Sequence, residues 1–394
     1  MKRILFINLI LAITLISCEK DDIFSEEFYR GETEIPENNL HHPKADEFNK
    51  LMNEIVAAGI PGVQLTVHDS VNGYWSGAFG LADLASDVAI KTNHITRVGS
   101  TVKTFTAVTI LLLQEEGKLN TGDPVTAYLS AKETKGLKNA EKSTIRQLLQ
   151  HSSGIYNYIL SPQFQTASLN DLIRTWYPGE LLDYARGQEP YFEPGEDVKY
   201  SNTNYILLGM IIEKVTGKPF YEVFREKIFE PQGLQFTQFA ATDPVPDGII
   251  RGYVDFYSNM NLINATYYSG WDYFTADGGL LSNAFDLNVF MTRLFSGQIL
   301  TETSMAELLS RQAPKEQFDD QFETFYGLGI FKLTTEFGPA WMHSGDAIGY
   351  FASMLYFPEQ KTTITWAVNG NYGKLNEISQ TKTAMEKIFR VVLK

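Results

Sequence analysis

Apolar and polar positions along the chain change period four times, and each change marks a change of secondary structure. The stretch ADEFNKLMNEIVAAGIPG has the spacing of an amphipathic helix that ends at Gly59 and Pro61. The next stretches, GVQLTVHDS and GYWSGAFGLAD, are typical of strands, and Asn72-Gly73 between them favours a tight turn. The pattern therefore predicts a helix followed by an antiparallel hairpin.

The middle of the chain carries mostly helical spacing, with polar caps where its segments begin. Its helical segments are STIRQLLQ, NTNYILLGMIIEKVTG, FYEVFREKIFE and NAFDLNVFMTRLFSG. Gly217 and Gly297 are expected to end two of these helices. Strand spacing returns in YGLGIFKLTT, AWMHSGDAIGYFASMLYFP and TTITWAVNG, before a last amphipathic helix that ends in AMEKIFRVVLK.

Strand-rich ends around a helical middle predict an α+β domain in which one sheet is built from both ends of the chain. We expect this domain to span residues 43–394, with its sheet part at roughly 43–115 and 275–394 and its helical part at roughly 116–274. A chain of 394 residues, 44% hydrophobic, is long enough to bury such a core. The net charge of −14 argues against nucleic acid as a partner.

The first residues, MKRILFINLILAITLISC, indicate export. A basic start precedes an apolar run that is too short for an ordinary membrane span, and Cys18 follows as the only cysteine of the chain. The segment 1–18 resembles a bacterial lipoprotein signal, whose cysteine is lipidated and holds the protein on a bacterial membrane, in the periplasm or at the cell surface. A plain secretory peptide or an uncleaved anchor is the alternative. Without a second cysteine, stability must come from core packing instead of disulfides.

Residues 19–42 are acidic and without period, which predicts a solvated tether between lipid and domain. The pair His41-His42 could suggest a metal site. No further cluster of His, Cys or carboxylate residues follows at ligand spacing, so we expect neither a metal nor another cofactor.

The stretch RVGSTVKTFTAVTILLLQEEG carries the first candidate chemistry. Ser100 and Lys103 stand three positions apart where a turn becomes an apolar helix, so their side chains share one helical face. A serine hydroxyl becomes a good nucleophile when a neighbouring base takes its proton, and burial can lower the pKa of a lysine enough for that task. Ser379 and Lys382 repeat the spacing, but there we expect an ordinary surface helix.

Two further motifs follow Ser100 along the chain: Tyr200-Ser201-Asn202 and His343-Ser344-Gly345. With these motifs the sequence resembles the penicillin-recognising serine hydrolases of the class C β-lactamase and D-alanyl-D-alanine carboxypeptidase type. The resemblance runs from about residue 45 to the end and includes LLQHSSGIYNY, ADGGLLSNAFDL and YGLGI. It implies an antiparallel sheet flanked by amino- and carboxy-terminal helices, with an inserted helical domain and the motifs facing one cleft.

The resemblance also implies a role for each motif. Ser100 would attack a carbonyl carbon, while Lys103 and Tyr200 share the proton transfers, with their order left open. Asn202 would hold a substrate amide or the Lys103 amine, and His343 would tune the surroundings of Tyr200. Substrate would bind along Ser344, Gly345 and Asp346. The backbone N–H groups of Ser100 and of Asp346, expected on an edge strand, would form an oxyanion hole.

Substrate choice is less defined by the sequence. Relatives hold a terminal carboxylate with an arginine near the place of Phe331, and the neighbouring Lys332 should point to the opposite face. Asp346 would repel a carboxylate. The resemblance implies a serine hydrolase that acts through an acyl-enzyme and is most similar to a D-alanyl-D-alanine carboxypeptidase. An amidase or aminopeptidase for D-residues, an esterase and a β-lactamase are alternatives, as is a catalytically silent protein that binds penicillin or cell-wall fragments. We expect a monomer that acts on small, possibly peptidoglycan-derived peptides, amides or esters. A second Tyr-Ser-Asn run at Tyr257 is expected to be an ordinary loop with a packed aromatic residue.

Overall fold

The computed structural model describes residues 35, 38–246, 248–268, 270, 272–318 and 320–394. The predicted signal segment, Cys18 and most of the predicted tether lie outside these residues. None of the helices that the structure describes is both long and apolar enough to span a bilayer.

The strands of the described residues form one large antiparallel sheet and two small sheets. They are β1 (Gly62–Asp69), β2 (Gly73–Asp83), β3 (Val88–Ala89), β4 (Thr96–Arg97), β5 (Gln238–Phe239), β6 (Tyr253–Val254), β7 (Ile263–Asn264), β8 (Leu280–Ser282), β9 (Glu323–Tyr326), β10 (Phe331–Thr335), β11 (Gly338–Ala347), β12 (Tyr350–Phe357), β13 (Thr362–Val368) and β14 (Gly370–Asn371). The large sheet has the order β3-β2-β1-β13-β12-β11-β10-β9, and the small ones are β14-β6-β7 and β4-β8-β5.

The two ends of the chain meet at the centre of the large sheet. Strand β1 pairs with β13 in a register that sets Val63 opposite Val368 and Asp69 opposite Thr362. On its other side β1 pairs with β2 through the predicted hairpin, from Gly62 opposite Gly80 to Asp69 opposite Gly73. Because β13 comes from the last part of the chain, the sheet cannot form until both ends have come together.

Helices cover both faces of the sheet. The helices are α1 (Ala45–Ala57), α2 (Val102–Glu115), α3 (Ala131–Thr134), α4 (Ile145–Leu149), α5 (Pro162–Asn170), α6 (Pro178–Asp183), α7 (Asn202–Thr216), α8 (Phe220–Phe224), α9 (Ala284–Phe295), α10 (Glu302–Leu308), α11 (Lys374–Ser379) and α12 (Lys382–Leu393). Helices α1 and α12 share one apolar core with β1 and β13, while α9 packs on the opposite face. There the Asn288 side-chain amide donates to the Thr66 carbonyl at 3.0 Å. The antiparallel sheet and its flanking helices confirm the predicted α+β class.

A second apolar core joins α2 to the helical middle of the chain. Buried side chains of α2, α4, α7, α8 and α9 form one contiguous cluster. Helix α7 is the longest of the described helices and ends at Gly217, whose φ of 70° is the left-handed conformation predicted for a helix end. This core therefore holds the start of α2 and the start of α7 in one rigid body.

Three local predictions need correction. Ser379 is fully buried at the end of α11 while Lys382 begins α12, so the second Ser-x-x-Lys pair does not share one surface helix. Tyr257 is 75% exposed instead of packed. Strand β11 is not at the edge of the sheet, since β10 and β9 lie beyond it. However, β10 pairs with β11 only as far as Phe331 opposite Met342, which leaves the later part of β11 without a strand on that side.

Candidate active site

Ser100 lies in a tight turn against the part of β11 that β10 leaves unpaired. The 3-10 turn Gly99–Thr101 leads directly into α2, and Gly99 has a φ of 47°. A Cβ atom on Gly99 would stand 2.4 Å from the Asp346 carbonyl oxygen. The turn and the strand therefore touch backbone to backbone, which glycine permits and other residues do not.

Lys103 is fully buried one helical turn after Ser100, as the spacing predicts. Its Nζ donates to Ser100 Oγ at 2.9 Å and to the Asp277 carbonyl oxygen at 2.6 Å. Burial lowers the pKa of Lys103 to about 8, although the nearby carboxyl groups of Asp277 and Asp272 oppose part of that shift. A substantial fraction of this amine is therefore neutral just above neutral pH.

Tyr200 reaches the same hydroxyl from the loop before α7. Its phenol lies near enough to Ser100 for the two hydroxyl groups to interact, and Lys103 Nζ lies 5.0 Å from the centre of its ring. Burial raises the pKa of Tyr200 well above the ordinary value, so the phenol keeps its proton at neutral pH. The structure thus brings together the three residues that the first two motifs single out.

His343 lies on the unpaired part of β11, with its ring centre 6.4 Å from that of Tyr200. Its Nδ1–H donates to the Ser344 carbonyl oxygen at 2.6 Å. Burial, together with the Lys103 charge, lowers the pKa of His343 to about 3. The ring is therefore neutral under ordinary conditions and carries no charge to relay.

The other predicted site residues surround this group with less direct contacts. Asn202 begins α7, and its backbone N–H donates to Asn157 Oδ1 at 3.1 Å. The Asp346 side chain reaches solvent, and its Oδ1 accepts a hydrogen bond from Asn371 Nδ2 at 3.3 Å. Partial desolvation by the surrounding protein raises the pKa of the Asp346 carboxyl group to about 6, while the hydrogen bond from the Asn371 amide lowers it. Ser344 and Gly345 follow His343 along the same strand.

Phe331 packs beside His343 and Tyr200, where the family resemblance leads us to expect an arginine. Its ring centre lies 4.9 Å from that of His343 and 6.3 Å from that of Tyr200. Lys332 instead extends toward Phe325, with Nζ 5.7 Å from the centre of that ring. This wall of the site is therefore aromatic.

Comparison with known proteins places this arrangement in a family. A family model described as Beta-lactamase matches residues 48–384. The chain belongs to the beta-lactamase family. The suspected membership and the fold that it implies are both confirmed.

The relatives of this beta-lactamase-family chain include penicillin-binding and amide-hydrolysing proteins. Penicillin-binding protein 4* of Bacillus subtilis is 29% identical over 308 residues, which cover 74% of this chain and 64% of that relative. The chain therefore spans less than two thirds of that relative's length. A crystal structure of a D-stereospecific amidohydrolase from Streptomyces sp. is 28% identical, with a TM-score of 0.74, over 85% of this chain and 98% of that one.

A second solved structure supports the fold alone, because its identity is low. The D-amino acid amidase from Ochrobactrum anthropi SV3, complexed with L-phenylalanine amide, has a TM-score of 0.77 at 23% identity. The match covers 89% of this chain and 97% of that one.

Sequence reasoning missed three residues that line the buried side of this beta-lactamase-family site. Asp277 receives Lys103 Nζ on its backbone carbonyl, and its side-chain Oδ2 accepts from the Tyr158 hydroxyl at 3.1 Å. Asp272 is buried beside it, which raises the pKa of its carboxyl group to about 7. His151 stacks on Tyr200, with ring centres 4.4 Å apart. The stretches HSSGIYNY and ADGGLLS contain His151 and Asp277, but their spacing gives no sign of these contacts.

Proposed function

We propose that this protein is a serine hydrolase that cleaves amide bonds through an acyl-enzyme on Ser100. The observation that carries the proposal is the contact of Ser100 Oγ with Lys103 Nζ at 2.9 Å and with the Tyr200 phenol. A nucleophile with an amine of lowered pKa and a protonated phenol beside it has the groups that acyl transfer requires.

The pKa shifts support one order of the proton transfers. Lys103, with a pKa of about 8, is the group that can take the Ser100 proton as the hydroxyl attacks the carbonyl carbon. Tyr200 holds its proton at rest and donates it to the leaving nitrogen when the C–N bond breaks. The Lys103 proton then replaces the one that Tyr200 has lost. Water later cleaves the ester between Ser100 and the acyl group, which restores the free hydroxyl.

An oxyanion hole fits between the Ser100 turn and β11. The backbone N–H groups of Ser100 and Asp346 would stabilise the negative oxygen of the tetrahedral intermediate. The close backbone approach of Gly99 to Asp346 and of Gly345 to Ser100 supports this assignment.

Amides of D-configured residues are the substrate class that we favour over peptides ending in a carboxylate. Phe331 offers no charge to a carboxylate, and Asp346 would repel one when ionised. The D-stereospecific amidohydrolase among the relatives supports the same preference. A D-alanyl-D-alanine carboxypeptidase, an esterase and a β-lactamase become outcomes of the substrate test.

Covalent labelling tests the proposal directly. The purified protein and its Ser100→Ala variant are incubated with a fluorescent fluorophosphonate and with a fluorescent penicillin, and the bound label is measured. We expect labelling of the native protein alone. Equal labelling of both proteins, or of neither, would leave a binding protein as the better account.

A substrate panel then separates the activities. It contains D-phenylalanine amide, a D-alanyl-D-alanine peptide, a short-chain ester and a chromogenic cephalosporin. We expect kcat/KM to be higher for D-phenylalanine amide than for the peptide, the ester or the cephalosporin. Turnover of the cephalosporin at a higher kcat/KM would instead identify a β-lactamase.

A further inference from the structure

His151 holds the backbone on both sides of Tyr200. Its carbonyl oxygen accepts from the Lys199 N–H at 2.9 Å, and its ring Nδ1 accepts from the Ser201 N–H at 3.1 Å. Tyr200 is the residue between these two donors, so its backbone position depends on His151 at both neighbouring peptide groups.

The ring of His151 also supports the Tyr200 side chain. It is 1% exposed, and its ring centre lies 4.4 Å from that of Tyr200 at an interplanar angle of 30°. Tyr205 lies 5.1 Å away and Tyr326 packs edge-on at 6.0 Å, so the imidazole is enclosed by phenol rings. A ring enclosed in this way has little freedom to rotate.

We propose that His151 is a positioning residue that aims the Tyr200 hydroxyl at Ser100, and that it does so as a neutral imidazole protonated on Nε2. The tautomer follows from the geometry, since Nδ1 accepts the Ser201 N–H and cannot carry a proton at the same time. The inference rests on the proposed function, because it gives Tyr200 the role of proton donor.

The neighbours of His151 favour the neutral ring. The cation of Lys103 faces it, together with His343 and the phenols of Tyr200, Tyr205 and Tyr326. Burial, together with the Lys103 cation, lowers the pKa of His151 well below its ordinary value. A protonated ring would lose the acceptor for Ser201 and set a second cation beside Lys103.

The backbone of His151 suggests a matched set of variants. His151 has a φ of 59°, a conformation that asparagine and glycine adopt more easily than most residues. His151→Asn therefore keeps the backbone and offers an oxygen close to the position of Nδ1. His151→Phe keeps an aromatic ring but loses the acceptor, and His151→Gly loses both without backbone strain.

The experiment compares hydrolysis of D-phenylalanine amide with that of a p-nitrophenyl ester of the same acyl group. When the ester is cleaved, p-nitrophenolate leaves as a stable anion and needs no proton, whereas the nitrogen of the amide must be protonated to leave. Tyr200→Phe gives the reference value for complete loss of the donor. We expect His151→Phe and His151→Gly to lower kcat for the amide by about 100-fold, with a much smaller loss on the ester and little change in KM. His151→Asn should retain most of the amide activity.

Each other outcome has a definite reading. Equal losses on amide and ester for His151→Gly, in parallel with a fall in Tm, would overturn the positioning role and leave a structural one. Unchanged amide activity in both His151→Phe and His151→Gly would overturn it as well. If Ser100→Ala keeps full activity on both substrates, the proposed function itself fails, and that result is separate from any effect at His151.

Discussion

A Cβ atom on Gly345 would stand 2.4 Å from the backbone nitrogen of Ser100 and 2.1 Å from the Val98 carbonyl oxygen. The neighbouring atoms belong to the backbone, so they cannot move aside as a flexible side chain would. The third motif therefore uses glycine because β11 passes directly over the turn that presents the nucleophile.

Replacing Gly345 with alanine should separate β11 from the Ser100 turn. We expect kcat on an amide substrate to fall by about 100-fold or more, because the two N–H groups of the oxyanion hole would no longer converge on one oxygen. The measurement is steady-state hydrolysis together with Tm. Gly179→Ala in α6 is the matched control, since a Cβ atom there meets nothing within 4 Å. Native activity in Gly345→Ala would contradict the placement of the hole.

The pH dependence of acylation should report the Lys103 amine. Because the pKa of Lys103 is about 8, the rate should rise as pH approaches 8 and level off above it. The Asp277 carboxyl group raises the pKa of Lys103, so Asp277→Asn should move the midpoint to lower pH, by about one unit.

The measurement is the rate of fluorophosphonate labelling between pH 5 and pH 10. Asp171→Asn, a change of the same kind at an exposed position, should leave the midpoint in place. A midpoint unchanged in Asp277→Asn would show that this carboxyl group carries no charge that Lys103 feels.

The candidate site was predictable where its geometry is local. Ser100 and Lys103 meet because positions three apart share a helical face, and the sequence shows that spacing directly. The contacts of Asp277 and His151 with the site use backbone atoms or cross long stretches of chain, as with the His151 ring and the Ser201 N–H. Such contacts leave no period in the sequence.

The fold was predictable from its periodicity, but strand position was not. Alternation in the sequence predicts that β11 is a strand. Its place within the sheet depends on β10 pairing with it and on β9 pairing with β10, which alternation does not predict. The opening beside His343 arises because β10 begins only at Phe331. The length of a neighbouring strand, and not a feature of β11 itself, exposes that side of the site.

A cation at position 331 should redirect substrate preference. Phe331→Arg would place a guanidinium beside His343 and Tyr200, where it could form paired hydrogen bonds with a terminal carboxylate. We expect kcat/KM for a D-alanyl-D-alanine peptide, relative to its carboxy-terminal amide, to rise about tenfold or more. Phe331→Leu controls for loss of the ring, and an unchanged ratio in the arginine variant would place the carboxylate elsewhere.

We propose that Cys18 is the site of lipid attachment, as its sequence context indicates. Cys18→Ser should release the activity from the membrane fraction into the soluble fraction of the producing cells, because serine cannot carry the lipid that would anchor the protein. Fractionation followed by fluorophosphonate labelling measures how the protein is distributed between the two fractions and how active it is in each. The specific activity should stay the same, and a variant that remains membrane-bound after signal cleavage would require another anchor.

Burial of the charged Lys103 amine should destabilise the folded protein, and the uncharged variant Lys103→Met should remove this penalty. The pKa of Lys103 is about 8 in the folded protein and near 10.4 in an unfolded chain, so the unfolded state binds its proton more tightly. This penalty is fully present below pH 8, shrinks as pH rises from 8 toward 10.4, and vanishes above that value. The change in the free energy of unfolding that Lys103→Met causes should therefore be more stabilising at pH 7 than at pH 10, by about 2–3 kcal/mol. Urea unfolding of both proteins at the two pH values measures this difference, while Ser379→Ala serves as a buried control without a titrating group. An equal effect of Lys103→Met at both pH values would mean that the amine keeps its ordinary pKa, and Lys103 could then not serve as the base near neutral pH.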